Sequence, residues 1–437
     1  MTKNLKITLI ILFLFQILIA MGFELAHDEA YYWIYSRHLD WGYFDHPPFV
    51  GVVIRLFSFL PHSEIAVRIG FIILQFCSVF LIFSLTSNWW MGLILFFSFP
   101  LASFTGLLAL PDIPLLFMTA CYCYQLKKYL EEDSLKNSSL LGLVIALLFY
   151  AKYHGVLLVF FTMIAIPKLL LRKSFYLVAV VALICFFPHM IWQYQHEFST
   201  LKYHFIERPK SEFSFKRSLE FIGLQIGLAG VLAGPTVWWI ALKNKTSTPF
   251  MRAMKIIAFG TVFFFLFSSF SKKVEANWTI FLAVPLIILV VDSKFWEKKW
   301  ARVLAYTSFA IVVSARILFV LEPQTTGLKR LKEFHGWKSW VQHVKSECGG
   351  EPILANSYQI ASKISYYLNQ EVNALNYHSR KNQFDYWRFD KNLPTNKVCY
   401  ITDKVEFGGS EEQTPDGKRI QIVKNQDLNH LLELKYQ

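Results

Sequence analysis

The chain has 437 residues and a net charge of +13, yet only 17% of its residues are charged while 54% are hydrophobic. A soluble domain of ordinary composition carries roughly 25% charged residues, so a soluble fold is excluded and a polytopic membrane protein is implied. The positive charge does not call for nucleic acid. The lysines and arginines are scattered through short loops between apolar runs, where they set membrane orientation and meet anionic lipid.

Apolar runs of about 20 residues, enough to cross a bilayer, predict about eleven spans. They lie near residues 5–23, 65–85, 89–108, 113–126, 138–150, 154–171, 174–192, 218–242, 253–270, 278–292 and 301–320. The first follows Lys3 and carries Lys6, as a signal peptide would, but the many further spans favour an uncleaved helix. Lys127, Lys128, Lys136, Lys168, Arg172, Lys173, Lys243, Lys245, Arg252, Lys255, Lys294, Lys298, Lys299 and Arg302 fall on the side of the N-terminus, which the positive-inside rule makes cytoplasmic. Residues 24–64, the Leu110-Pro111-Asp112 turn, 151–154, 193–217, 271–277 and the tail then face outward.

The first external loop reads HDEAYYWIYSRHLDWGYFDHPPFVG from residue 27. Two adjacent acids, Asp28 and Glu29, stand among Tyr31, Tyr32, Trp33, Tyr35, Trp41, Tyr43 and Phe44, a composition suited to the lipid headgroup region. After Pro47-Pro48, residues 49–60 predict an amphipathic helix on the membrane surface. Asp112 fits a helix N-cap and also a functional acid. Lys152, beside Tyr153 and His154, and the Lys272-Lys273 pair fit both snorkelling to water and binding of a phosphate. Arg316 lies inside the last span and needs a partner. Acids that activate a hydroxyl, cations that hold phosphate and aromatics that stack on a sugar share one predicted face.

The tail, residues 321–437, is polar. Strands are predicted at 351–355, 371–375, 397–402 and 419–423, with a helix at 359–368, giving a small α/β domain with some parallel pairing. Cys77, Cys121, Cys123 and Cys185 lie in spans, whereas Cys348 and Cys399 lie in the tail, where a disulfide and two thiols are both open.

The stretches His27-Asp28-Glu29-Ala30-Tyr31-Tyr32-Trp33, Tyr43-Phe44-Asp45-His46-Pro47-Pro48, Leu110-Pro111-Asp112 and Ala151-Lys152-Tyr153 resemble the C-type glycosyltransferases related to protein O-mannosyltransferases, a group that includes the aminoarabinose transferases of lipid A. In the tail, Asn356-Ser357-Tyr358-Gln359 and Arg380-Lys381-Asn382-Gln383-Phe384-Asp385-Tyr386-Trp387 are similar to bacterial members. The resemblance implies an α-helical polytopic membrane protein of C-type architecture, with a membrane catalytic domain over residues 1–320 and an extracytoplasmic α/β domain over 321–437, in a bacterial inner membrane. It implies a polyprenyl-phosphate-sugar donor, inversion at the anomeric carbon, and an acceptor hydroxyl on lipid A, a glycan or a protein. Asp28 matches the catalytic acid, Glu29 its neighbour and Asp112 the second acidic position. Lys152 and one of Lys272 and Lys273 match the basic positions for donor phosphate, and Arg316, an intramembrane cation, would be satisfied by the same phosphate. Tyr31, Tyr32, Trp33, Tyr153, Tyr358, Gln359, Arg380 and Asp385 would shape the substrate site. His46 stands where the aminoarabinose branch has a phosphate-binding Lys, so contact there would be weaker or pH-dependent. No cofactor is required; a divalent metal held by Asp45 with His196 or His204 is a minor alternative. The rival class, a transporter or flippase of an anionic lipid, expects ionisable residues at mid-membrane and paired broken helices, which the span interiors barely offer.

Overall fold

The computed structural model describes residues 1–202, 213–321, 327–387, 389, 396–404 and 407–436. It is mostly helical, and it divides into two compact units. One comprises Met1–Ile17, His46–Val50 and Ile69–Arg316; the other comprises Leu18–Asp45, Gly51–Arg68 and Ile317–Gln437. Most of the first loop, residues 24–45 and 51–64, therefore belongs to the same unit as the tail.

Each predicted span has a helical counterpart. Among the described residues five helices are long and apolar enough to cross a membrane: Lys3–Met21, Glu64–Leu85, Lys173–Gln195, Pro249–Ser269 and Lys299–Phe319. A sixth candidate, Trp89–Ser98 with Pro100–Leu107, bends by 91° at the proline that opens its second part. Leu135–Ala151, Gly155–Ala165 and Ala276–Val290 are apolar but shorter. The run at 218–242 is two helices, Phe215–Leu228 and Gly234–Lys243, parted at Gly230, whose φ of +125° a side chain would resist. A hydropathy window sums across such bends, and other runs fold as helices too short or too polar to count as full spans, so eleven runs yield fewer straight spanning helices among the described residues. Large side chains such as Leu183, Ile184 and Phe187 on Lys173–Gln195 are exposed, as a lipid-facing surface requires.

The other unit holds a five-stranded sheet: β1 Ile353–Ala355, β2 Asn373–Ala374, β3 Lys397–Thr402, β4 Ser410–Gln413 and β5 Arg419–Asp427, in the order β2-β1-β3-β5-β4. β1 runs parallel to β2 and β3, while β5 runs antiparallel to β3 and β4. The parallel β1–β2 pair requires a crossover, supplied by helix Tyr358–Leu368. Leu354, Leu375, Val398, Tyr400, Val423, Leu428 and Leu431 form the core beneath the sheet. Cys348 and Cys399 are joined in a disulfide, tying the end of helix Trp337–Glu347 to β3. The amphipathic segment after Pro47-Pro48 is helical over Phe49–Leu56.

Candidate functional site

Asp28 and Glu29 sit in the first turn of helix His27–Arg37, where acids favour the positive end of the helix dipole. Their environments differ completely. Glu29 is fully buried. Its carboxylate accepts the Ala26 amide at 2.8 Å, closing the helix start, and accepts Arg68 Nε and Nη2 at 2.8 and 2.7 Å. Arg68, also fully buried, donates further to the Ala20, Phe23 and Glu24 carbonyls at 2.6, 2.9 and 2.8 Å and lies 3.9 Å over the Phe23 ring. This geometry gives Glu29, the neighbour of the matched catalytic acid, the role of holding the loop rather than that of orienting an acceptor.

Asp28 keeps solvent access and accepts one hydrogen bond, 3.3 Å from the Tyr358 hydroxyl. Protein crowds its other sides. That desolvation, with negative charge from Glu333 and Asp45, pushes its carboxyl up to about 6, against the opposing pull of Tyr358 and Arg380. A base in this range is mostly ionised at neutral pH and still accepts a proton readily.

Around it the tail and the loop interlock. Asp45 accepts Arg380 Nη2 at 2.7 Å and the Tyr31 hydroxyl at 2.9 Å; Tyr31 in turn accepts the Gln383 amide at 2.8 Å, and Gln383 Oε1 accepts the Phe44 amide at 2.8 Å. Burial raises the Asp45 carboxyl, while Arg380 and Tyr31 act to lower it. The Tyr31 ring lies 4.9 Å from Tyr358 and stacks 5.8 Å from Phe384. Tyr32 is buried against Tyr35, and Trp33 packs edge-on to Tyr366. Gln359 is half-buried beside Tyr358. Asp385 has a holding role: it accepts Asn376 Nδ2, the Asn382 amide and Lys435 Nζ at 2.9, 2.9 and 2.7 Å.

The membrane unit has its own cluster. Asp112 does not cap its helix, Asp112–Glu131, with its side chain. Its Oδ1 accepts Lys152 Nζ at 2.9 Å and its Oδ2 accepts Asn277 Nδ2 at 3.2 Å. Both ends of the ion pair are buried, so Lys152 does not snorkel to water. Tyr153 shares its hydroxyl with His189 Nε2 and Gln193 Nε2, each at 2.9 Å, beside an apolar recess of about 510 Å³ lined by Phe186, Phe187, Met190, Tyr194 and Phe198. Lys272 is half-buried, and Lys273 is exposed with Glu275 at 3.2 Å. His46 is half-buried ahead of Pro47. Arg316 is fully buried: it donates to Gln16 Oε1 at 3.0 Å and Ser103 Oγ at 2.6 Å, with its guanidinium 5.1 Å over Phe97 and Nε left without a hydrogen bond. Its partners are thus neutral side chains.

Among the described residues no group of three or more His, Cys, Asp and Glu is arranged to hold a metal. Asp45 is engaged as above, His196 bonds the Trp192 carbonyl at 2.8 Å, and His204 lies outside the described residues.

Arg68, Lys363, Glu333 and Asn277 were not singled out from the sequence. Arg68 carried a usable signal, a lone Arg a few residues inside an apolar span, the same signal that drew attention to Arg316.

Residues 45–192 match the family model described as dolichyl-phosphate-mannose-protein mannosyltransferase. Lipid A galacturonosyltransferase RgtD of Rhizobium johnstonii (strain DSM 114642 / LMG 32736 / 3841) is 24% identical over 312 residues, 67% of this chain, and the chain spans 65% of that relative's length. Two crystal structures of ArnT from Cupriavidus metallidurans, apo and bound to undecaprenyl phosphate, have TM-scores of 0.68 and 0.70 with 13% identity. They cover 97% and 98% of this chain, and 98% and 99% of their own. At that identity the likeness establishes the fold.

Proposed function

We propose that this chain is a C-type glycosyltransferase like PMT and ArnT, moving a sugar from a polyprenyl-phosphate donor to an acceptor hydroxyl at the extracytoplasmic face of the bacterial inner membrane. Lipid A is the favoured acceptor, because RgtD is named as a lipid A galacturonosyltransferase; a glycan or protein hydroxyl is the alternative. The lipid-phosphate donor is supported by the undecaprenyl phosphate bound in ArnT.

The observation that carries the reading is the contrast between the two neighbouring acids. Glu29 is saturated by Arg68, whereas Asp28 is solvent-accessible and poised near 6 among aromatic rings. Asp28 takes the proton as the acceptor oxygen bonds to the anomeric carbon. The bond from that carbon to the phosphate oxygen breaks on the opposite face, its electron pair leaves with the phosphate, and the configuration inverts. General-base help of this kind contributes about 10²–10⁴ in rate. The phosphate is assigned to Lys152, Lys272 or Lys273 and His46, whereas Arg316, fully buried with its amino groups on Gln16 and Ser103, holds the span packing instead. Lys152 suits this because one of its three N–H donors goes to Asp112 and the others are available for an anion. The apolar recess beside Tyr153 suits isoprenoid units. Tyr31, Tyr358 and Arg380 border the sugar or acceptor.

Mass spectrometry of envelope lipids and glycoproteins, from cells with and without the protein, tests the reading. A sugar-bearing species, foremost a lipid A form, should vanish with the protein; identical profiles overturn it. In a transfer assay the rate should fall as pH drops below about 6, since Asp28 then gains the proton it must be free to accept. A rate unchanged down to the ordinary carboxylate range speaks against Asp28.

Lys152→Met keeps the stem and removes the charge. If Lys152 holds phosphate, donor binding should weaken by about 1.5–3 kcal/mol. Because the change also strands Asp112, it is compared with Lys152→Met/Asp112→Leu. The double variant should regain stability, as replacing a whole buried ion pair often does, without regaining donor affinity. Unchanged affinity in both leaves the pair a structural one.

A further inference from the structure

Lys363 has no solvent exposure, although it lies mid-helix in Tyr358–Leu368, on the same face as Ile360 and Ile364. Its ammonium donates to the carbonyls of Leu25 and Glu333, the latter at 3.0 Å, and lies 4.8 Å over the Trp337 ring. Neither acceptor is a carboxylate, so this amine is buried for two backbone oxygens. Both oxygens bear on Asp28. Leu25 immediately precedes Ala26, the N-cap of the helix that carries Asp28. Glu333 accepts the His27 amide on its side chain at 2.9 Å. The same helix grips this corner twice more. The Tyr367 hydroxyl accepts the Leu25 amide at 3.1 Å, and the Tyr358 hydroxyl donates to Asp28 Oδ1.

We infer that Lys363 is a positioning residue for the transfer reaction, fixing the backbone before Asp28 so that its carboxylate is aimed at the acceptor hydroxyl. The inference rests on the reading of Asp28 as the base. A tail residue distant in sequence then sets the geometry of a first-loop base, and Asp28 alone would not keep its aim.

The clamp is sensitive to protons. Burial lowers the Lys363 ammonium to about 7; Glu333, Glu24 and Glu29 oppose this and Arg68 reinforces it. His27, itself lowered by burial and by Lys363, faces the same corner with Asp416 at 3.3 Å. Above neutrality the amine loses its charge-assisted grip on the two carbonyls. The effect on stability has the opposite sign. Between about 7 and 10.5 the unfolded chain binds a proton at Lys363 that the folded chain does not, so this group favours folding as pH rises. Turnover should therefore fall on the alkaline side while the fold does not weaken there on account of Lys363, a divergence that a purely structural lysine would not give.

The test uses the full-length protein, polyprenyl-phosphate sugars extracted from host membranes as donor, and lipid A from cells lacking the protein as acceptor. Wild type should show an acid limb near 6 and an alkaline limb near 7. Lys363→Met should lower kcat by about 10- to 100-fold with little change in KM for the donor, as small misplacements of a catalytic group do, and should lack the alkaline limb. Lys363→Arg, which stays charged, should keep more turnover and carry it into the alkaline range. Amide hydrogen exchange at residues 25–29 should quicken in the Met variant. Should Lys363→Met retain wild-type kcat and the alkaline limb, or should both variants lose activity only in step with the folded fraction, the inference is overturned. Asp28→Asn is run in parallel. If it transfers normally, the base reading itself fails; if it is inactive while Lys363→Met is unaffected, only the positioning role fails.

Discussion

Asp28→Asn should reduce sugar transfer by about 10²-fold or more while leaving donor binding and folding intact. Asparagine keeps the size of the side chain and an oxygen that can still accept the Tyr358 hydroxyl, but its amide cannot take a proton from an attacking alcohol. The structure sharpens the expectation in two respects. Asp28 is solvent-accessible and has no cation pairing with it among the described residues, so its removal strands no buried partner. Its carboxyl is raised rather than depressed, so ionising it costs stability as pH climbs from the ordinary carboxylate range to about 6; the neutral amide should leave the fold equal or slightly firmer. Activity and stability should thus separate, with kcat down, KM for donor steady and thermal midpoint unchanged or higher. A well-folded Asp28→Asn protein that transfers at near-normal rate would sink the mechanism and make Asp112 the next acid to examine, although its carboxylate is already occupied by Lys152 and Asn277.

Much of this was legible from local pattern, because local physics decides it. Strands β3 and β5 follow from their Val- and Ile-rich runs, whereas the helix that carries Asp28, with acids in its first turn and Arg37 in its last, reads only as loop because its aromatic crowding hides an apolar period. β4, SEEQ, was missed because it is an edge strand whose charged residues resist further pairing and mask its strand character. The break at Gly230 was missed because hydropathy carries no record of backbone angle. At the site, sequence supplied the chemical types but not the pairings. Asp45 and Arg380 are 335 residues apart and Glu29 and Arg68 are 39 apart, and nothing in either neighbourhood names its partner. Lys363 reads as one charge on an amphipathic helix; only the packing shows that it points inward, toward the carbonyls beside Asp28.

Arg68→Met, in the first turns of helix Glu64–Leu85, should destabilise the packing of the first loop by about 3–5 kcal/mol, the usual loss when one partner of a buried pair is removed. All five N–H donors of Arg68 are spent, two on Glu29 and three on the Ala20, Phe23 and Glu24 carbonyls, and neither side chain of the pair touches water. Methionine fills the stem but leaves a buried carboxylate and three carbonyls short of a donor. Glu29→Gln should cost less, about 1.5–3 kcal/mol, since the amide oxygen still accepts from Arg68. Arg68→Met/Glu29→Leu should recover part of the stability, because no charge is then left buried, and should also lose the Ala26 cap that Glu29 provides. If the pair matters only for folding, the double variant should regain turnover along with stability. If it holds the helix start that aims Asp28, stability should return while kcat stays low. Denaturant midpoints and transfer rates measured on the same preparations separate the two, and an Arg68→Met protein as stable as wild type would show that the first loop does not depend on this pair.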